Sequence, residues 1–302
     1  VRYPGATRNA VDGITLEVPA GSFTVLLGPS GCGKSTLLRT VNRLVVPQSG
    51  RVLIGGEDTA SLDPIAVRRA TGYVIQAVGL FAHMTVAQNI AVVPSLTGWE
   101  RDRTQRRVDA LLELVGLDPQ RYRDRYPREL SGGEQQRVGV ARAIAAEPPV
   151  LLMDEPFGAV DAIVRATLQA EMLRIVGRLH TTVLFVTHDV EEALHLADRI
   201  VVMREGRVEQ YATPLEVLTR PATPYVAQLL ETHDRVRRLS LISAADAAVQ
   251  RNSAIDGSID ASASLRDALN AFLDGAQCLA VEQGGQRLGT LQFDDVRAAL
   301  RA

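Results

Sequence analysis

Cysteine is almost missing from this chain: Cys32 and Cys278 are its only two in 302 residues. That excludes a disulfide framework and fits a reducing compartment. No apolar run approaches the ~20 residues of a membrane-spanning helix. The N-terminus has no signal-peptide core, because Arg2, Pro4 and Arg8 interrupt it. A cytosolic protein is expected, with any membrane association made through a partner. A net charge of −2 offers no electrostatic argument for nucleic acid. Internal repeats are also lacking. The chain starts at Val1 rather than Met and close to a functional stretch, so an upstream strand is expected to be missing.

What is present is a 46% apolar content, enough for a real core, and one stretch around which the rest is arranged. Phe23 to Leu27 is short, apolar and β-branched, and reads as a buried strand. Gly28-Pro29-Ser30-Gly31-Cys32-Gly33-Lys34-Ser35-Thr36 then matches the phosphate-loop pattern G-x-x-x-x-G-K-[ST]. Leu37, Leu38, Val41 and Leu44 follow at helical spacing. Gly28, Gly31 and Gly33 let the backbone curl so that successive N–H groups face anionic oxygens. The helix beginning near Lys34 adds its positive end. Lys34 supplies a charge for β- and γ-phosphates, and Ser35 offers a hydroxyl to Mg²⁺. Cys32 reads as a small residue with a free side chain rather than a redox switch.

Short apolar strands alternate with helices along the next two hundred residues. Strands are expected at Arg51–Gly55, Tyr73–Gln76, Val150–Met153 and Val183–Val186, and an alternating strand at Asn9–Pro19. Helices are expected at Thr85–Val93, Arg101–Gly116, from Ser131 to about Ala146, at Ala162–Leu179 and at Val190–Ala197. Ile200–Tyr211 reads as a hairpin turning at Gly206. This is the pattern of a mainly parallel α/β sheet covered on both faces, with ligand chemistry outside the carboxyl ends of its strands. Gly28, Gln76, Asp154 and His188 fall at such ends. Composition shifts after about Leu230, and Ser240–Ala263, rich in Ala, Ser and Asp, reads as linker. A helix (Leu265–Leu273), a strand (Cys278–Glu282), a Gly284-Gly285 turn, a strand (Leu288–Phe293) and a helix (Asp294–Arg301) are expected beyond it.

Two further motifs carry chemistry. The strand Leu151-Leu152-Met153 runs out into Asp154-Glu155. Asp154 is placed to hold Mg²⁺ through water, and Glu155 to act as general base on an attacking water. Leu130-Ser131-Gly132-Gly133-Glu134-Gln135 is a second glycine-rich helix start, and so a second potential anion site.

The whole pattern resembles the ATP-binding subunit of an ABC transporter. Gly28–Ser35 matches the family's Walker A loop, Gln76 its Q-loop glutamine, and Leu130–Gln135 its signature. Val150–Glu155 matches Walker B, Gly158–Asp161 sits where the D-loop belongs, and His188 stands where the switch histidine does. Tyr3 fits the aromatic that stacks on adenine. The resemblance implies a P-loop NTPase of ABC type, α/β, with an antiparallel β subdomain and a helical subdomain. It implies ATP and Mg²⁺ as cofactors, with Glu155, His188 and Lys34 catalytic. Tyr3, Gly28 to Thr36, Gln76 and Ser131-Gly132-Gly133-Glu134 would contact ATP, and Ser35, Gln76 and Asp154 the Mg²⁺. It further implies a homodimer of ATPase subunits, with each ATP between one phosphate loop and the partner subunit's signature. Transmembrane permease subunits and, through them, an extracytoplasmic substrate-binding protein are the implied partners, at the cytoplasmic face of the cell membrane. Departures are Gly158-Ala159-Val160-Asp161 in place of the usual Ser-Ala-Leu-Asp, and Ala82 in place of a common proline.

Within the family, Gly72–Pro94 and Val115–Ala143 resemble the importers of osmoprotectants: glycine betaine, choline, carnitine, proline. The end of the chain resembles the CBS motif that subgroup carries. The expected domains are therefore 1–230 for ATP binding, 231–258 as linker, and 259–302 as a partial CBS-like motif. A single such motif is expected to leave Leu279, Val281, Leu288 and Leu291 partly exposed, to be covered by the copy on another subunit. A degenerate remnant packed on the ATPase domain is the alternative. Importers of other small solutes share much of the first two stretches and remain the other reading of function. A soluble non-transport ABC ATPase fits less well, since neither a second cassette nor a long coiled-coil insertion is present.

Overall fold

In the computed structural model of the chain, the apolar run Phe23–Leu27 is strand β1, buried at every position. The structure describes residues 1–75, 79–158, 162–179, 181–230, 239–251 and 255–299, with the side chains of 162–164 and 178–179 outside that description. From β1 the chain enters helix α1 (Lys34–Val41), a short hairpin of β2 (Leu53–Ile54) and β3 (Glu57–Asp58), helix α2 (Pro64–Arg69) and strand β4 (Thr71–Val74). Helices α3 (Val86–Leu96), α4 (Arg101–Leu114), α5 (Pro119–Tyr122) and α6 (Gly132–Ile144) follow. Then come β5 (Val150–Asp154), α7 (Ala162–Leu179), β6 (Thr182–Thr187), α8 (Val190–Leu196), β7 (Arg199–Arg204) and β8 (Arg207–Ala212).

Six strands form one sheet in the order β4-β5-β6-β1-β7-β8. The pairs β4–β5, β5–β6, β6–β1 and β1–β7 are all parallel. Buried on both faces, these strands read as continuous apolar runs, which is why they were legible from sequence. Phe185 on β6 packs against Phe23 at 5.6 Å and Phe157 at 5.9 Å between ring centres. The hairpin β7–β8 turns through Glu205 and Gly206, both at positive φ, as a two-residue type I′ turn requires. Among the described residues no helix is long and apolar enough to cross a membrane.

Helices α3, α4 and α6 pack on one another. Thr85 caps α3 through a capping box with Gln88. Asn89, wholly buried on α3, donates to the carbonyls of Phe81, Met84 and Thr85 and accepts the Phe81 N–H. One amide side chain thereby fixes the turn Phe81–Thr85 onto the helix.

Residues Val1–Tyr211 and Ala212–Ala302 form two compact units. In the second, α9 (Pro214–Thr219), α10 (Pro224–Leu229) and α11 (Ala244–Ala247) precede β9 (Gly257–Asp260), α12 (Leu265–Leu273), β10 (Cys278–Gln283), β11 (Gln286–Gln292) and α13 (Phe293–Ala299). Strand β10 is central, parallel to β9 and antiparallel to β11.

Three expectations are corrected. Asn9–Pro19 forms no strand. Its alternation does select a face, since Ile14, Leu16 and Val18 pack on the core of the large sheet. Its backbone, however, is met only by scattered bonds, such as Ala10 and Val11 N–H on the Val1 carbonyl and Asp12 N–H on that of Gly206. Among the described residues no neighbouring strand supplies it with a ladder, so the small antiparallel sheet of this part of the chain is β2–β3 alone. Ser240–Ala263 is not wholly linker, because it contains α11 and β9; the sequence there is too polar and too short in period to announce either. Finally, Leu279, Val281 and Leu291 are buried within the second unit, together with Leu239, Ala244, Leu265, Phe272 and Val296, and only Leu288 stays half-buried. Helices α11 to α13 and Leu239 cover the sheet face that was expected to need a second copy.

Removing a ring from the Phe23–Phe185–Phe157 cluster should be costly. Phe185→Ala is expected to destabilise the first unit by ~3–5 kcal/mol, whereas Phe293→Ala, at a half-exposed ring, should cost distinctly less. Urea denaturation of each variant checks this.

Candidate functional site

The parallel register brings three strand ends level. Leu27 of β1 lies opposite Thr187 of β6, and Asp154 of β5 lies opposite Val186. The phosphate loop, the acid pair and His188 therefore emerge side by side at one edge of the sheet, as the general rule for parallel α/β sheets anticipates.

Between β1 and α1 the loop is held closely. A Cβ on Gly33, whose φ is 106°, would collide with the carbonyl of Ala10, and one on Gly28 with the carbonyl of Met203. At these two positions any side chain is barred by space as well as by backbone angle. Lys34 is buried, its Nζ donating to the carbonyls of Gly28 at 2.7 Å and Pro29 at 3.0 Å. Pro29, Ser30 and Gly31 are exposed above it, and a Cβ on Gly31 would meet open space. The Cys32 thiol is buried, and burial pushes its pKa up against the opposing charge of Lys34. It stays protonated and unreactive, as a small packed residue should. Tyr3, half-exposed, reaches Thr36 with hydroxyl oxygens 3.3 Å apart.

Asp154 is buried at the end of β5 and carries three neighbours. Ser35 Oγ donates to its Oδ1 at 2.6 Å, Arg39 Nη2 pairs with Oδ2 at 3.1 Å, and the Tyr73 hydroxyl lies 3.5 Å from Oδ2. Tyr73 also accepts from Arg39 Nε at 3.3 Å, and burial raises its own pKa. Two hard oxygen donors, Ser35 and Asp154, are thus already adjacent. Such a sparse pair suits Mg²⁺, which keeps several waters and takes few protein ligands. Gln76, the third expected ligand, lies outside the described residues.

Glu155 is the next residue and sits at φ 46°, a left-handed conformation uncommon for a side chain of its size. Its N–H donates to the Val186 carbonyl at 3.0 Å, and its own carbonyl accepts from Gly158 at 3.1 Å. Strain of this kind costs of order 1–3 kcal/mol and gathers where geometry matters. Glu155 Oε2 lies 3.2 Å from Nδ1 of the exposed His188. Gly158 is exposed, while Ala159, Val160 and Asp161 lie outside the described residues.

The second glycine-rich helix start is well formed but sits apart. Ser131 caps α6, and Glu134 accepts both the Ser131 N–H at 2.7 Å and its hydroxyl at 2.9 Å. Tyr122 donates to the other oxygen of Glu134 at 2.6 Å. A Cβ on Gly132 would meet nothing, leaving room above the helix end. Among the described residues no hydrogen bond or ion pair joins Ser131–Glu134 to the phosphate loop or Asp154. Arg39, Tyr73 and Tyr122 were missed by sequence reasoning. Arg39 alone had a local signal, lying four residues after Ser35 on the same helix face.

The profile of the ABC transporter family matches residues 11–158. The osmoprotectant import ATP-binding protein OsmV of Salmonella typhimurium is 49% identical over 251 residues, covering 83% of this chain and 66% of that protein. The glycine betaine uptake system ATP-binding protein YehX of Escherichia coli is 50% identical over 293 residues, covering 96% of this chain and 94% of that protein. The chain thus spans nearly all of one relative and just under two thirds of the other. Among solved structures, the dimeric post-hydrolysis state of the ATP-binding cassette MJ0796 bound to ADP and Pi aligns with a TM-score of 0.63 at 29% identity, over 71% of this chain and 94% of that one.

The Tyr122 and Ser131 bonds hold the Glu134 carboxyl below the 4.5 of an ordinary glutamate, the Tyr122 hydroxyl being the largest cause. Because the folded value is depressed, the ionised cap stabilises α6 above that ordinary value, and the contribution is lost as pH falls through the folded one. Carbon-13 NMR titration of Glu134 should show the depressed value, and Tyr122→Phe should raise it.

Proposed function

This chain belongs to the ABC transporter family, and on that footing we propose that it is the ATPase subunit of an importer that takes up an osmoprotectant, either a quaternary amine (glycine betaine, choline or carnitine) or proline. The observation that carries the catalytic part is the level edge on which Lys34, Asp154, Glu155 and His188 stand together. What supports the solute class is the near-half identity to OsmV and YehX, whose names specify osmoprotectant import and glycine betaine uptake.

The proposed roles follow from the atoms. Backbone N–H groups of Gly28 to Thr36 and the α1 N-terminus cradle the phosphates of ATP. Lys34 turns from the Gly28 and Pro29 carbonyls to β- and γ-phosphate oxygens, exchanging neutral acceptors for charged ones. Tyr3 stacks on the adenine. Ser35, Asp154 and Gln76 would hold Mg²⁺, which when bound neutralises charge on the β- and γ-oxygens. Glu155 takes a proton from the attacking water, and His188, already beside Glu155, orients that carboxylate and the water on the γ-phosphate.

Ser131-Gly132-Gly133-Glu134 completes the site from a second copy of the chain. Its exposed helix start has no described contact with this chain's own phosphate loop, so two subunits arranged head to tail would place one against the other's nucleotide. The Ser131 hydroxyl, now donating to Glu134, turns to the phosphate in that arrangement. The segment from Gln76 to His83 contacts a transmembrane permease, which an extracytoplasmic substrate-binding protein supplies, and the chain sits peripherally on the cytoplasmic face. Residues 1–230 are taken as the ATP-binding domain, 231–258 as a connection and 259–302 as a CBS-like motif, for which the β9-α12-β10-β11-α13 order is the support.

The test is uptake. In a bacterial strain stripped of its own betaine transport and supplied with this chain, its permease and its binding protein, labelled glycine betaine or choline should accumulate, and Lys34→Ala should abolish accumulation. Uptake that survives Lys34→Ala would contradict ATP as the driving force. Uptake of an amino acid other than proline, with no uptake of proline or of a quaternary amine, would assign the other class of solute.

A further inference from the structure

One buried acid lies just behind the reacting edge and has no part in the chemistry above. Glu192, in the first turn of α8, is 7% exposed. Its Oε2 accepts the Thr187 hydroxyl proton at 2.5 Å, and its Oε1 accepts from Gln169 Nε2 of α7 at 3.0 Å. The same Thr187 oxygen accepts the N–H of Asp189 at 2.9 Å. Asp189 in turn caps α8 through its Oδ1, and its Oδ2 pairs with Arg165 of α7 at 3.3 Å.

His188 is the residue between these two fixed neighbours. Its own ring is exposed and has Glu155, 3.2 Å away, as its described partner. The direction of an exposed ring depends on the peptide that bears it, and here that peptide is tied down through side chains on α8 and α7. A carboxyl buried at this position is expensive. Burial pushes the Glu192 pKa up and the charge of Asp189 adds to that, while the Thr187 hydroxyl, Arg165 and Gln169 act in the opposite sense. An apolar side chain would fill the same space at less cost but could not hold the Thr187 hydroxyl.

We propose that Glu192 is a positioning residue for His188: through the Thr187 hydroxyl it sets the 187–189 peptide so that the imidazole meets Glu155, and through Gln169 it ties that setting to α7. The proposal rests on the reading in which Glu155 and His188 act together on the attacking water. Its reach is wider than a local cap. Gln169 and Arg165 both stand on α7, so the 187–189 segment and helix α7 share one hydrogen-bond network.

The test combines kinetics with a spectroscopic signature in the full chain. With nitrogen-15 histidine labelling, the His188 imidazole signal is identified by its loss in His188→Ala. In the otherwise unaltered protein, Glu155→Gln is expected to shift that signal. In Glu192→Ala the shift should vanish, and kcat should fall on the order of ten- to a hundredfold while KM for ATP stays within about twofold. Glu192→Gln keeps an acceptor for Thr187 and should restore part of both. Thr187→Val breaks the same link without altering the acid and should also remove the shift, which keeps the test open if Glu192→Ala fails to fold. A Glu155-dependent shift and kcat that persist in folded Glu192→Ala or Thr187→Val would overturn the proposal, as would losses that Glu192→Gln does not restore. If His188→Ala itself turns over ATP normally, the reading of the site fails instead. If His188→Ala is inactive and Glu192→Ala is not impaired, only the role of Glu192 falls.

Discussion

The register of three parallel strands governs this site. Because Leu27 pairs with Thr187 and Val186 with Asp154, loops that are far apart in sequence leave the sheet at one height. Lys34, Asp154, Glu155 and His188 are thereby carried on segments that leave the sheet together. A slip of one residue in either pairing would swap the side chains of β5 or β6 between the two buried faces and send Glu155 to the wrong face. The buried aromatic contacts of Phe185 with Phe23 and Phe157 sit on that same register and resist such a slip.

A second theme is that the groups meant for ligand are already occupied by the chain. Lys34 rests on loop carbonyls, Ser35 and Arg39 on Asp154, and the Ser131 hydroxyl on Glu134. None of these polar groups is left buried and unpaired, which would cost ~1–3 kcal/mol each. On the proposed roles, nucleotide and metal would therefore exchange partners with these groups rather than meet free ones. On those same roles, binding energy spent in this way would convert occupancy into movement of Lys34, Asp154 and the α6 cap.

Sequence reasoning reached the parts of the site that are written locally. The phosphate loop, the acid pair after an apolar strand and the glycine-rich start of α6 each depend on residues within a dozen positions, and each stands where expected. It did not reach Tyr73 at Asp154, Tyr122 at Glu134 or the Thr187–Glu192–Gln169 network, because no motif links those residue types and each pair joins side chains from different elements. The alternation of Asn9–Pro19 reported which residues face inward but not whether a neighbouring strand exists to make a ladder. In the second unit, the expected exposure of Leu279, Val281 and Leu291 failed because α11 and β9 carry no strong periodic signal, yet α11 and Leu239 help to close the apolar cluster over the sheet.

The central claim is that Glu155, held in a left-handed turn beside His188, is the base for ATP hydrolysis. Steady-state turnover and ATP affinity of Glu155→Gln, measured beside the unaltered protein, test it most directly. The account predicts that affinity is retained while turnover falls by a hundredfold or more, on the order expected for loss of a general base. Near-normal turnover in Glu155→Gln would contradict it.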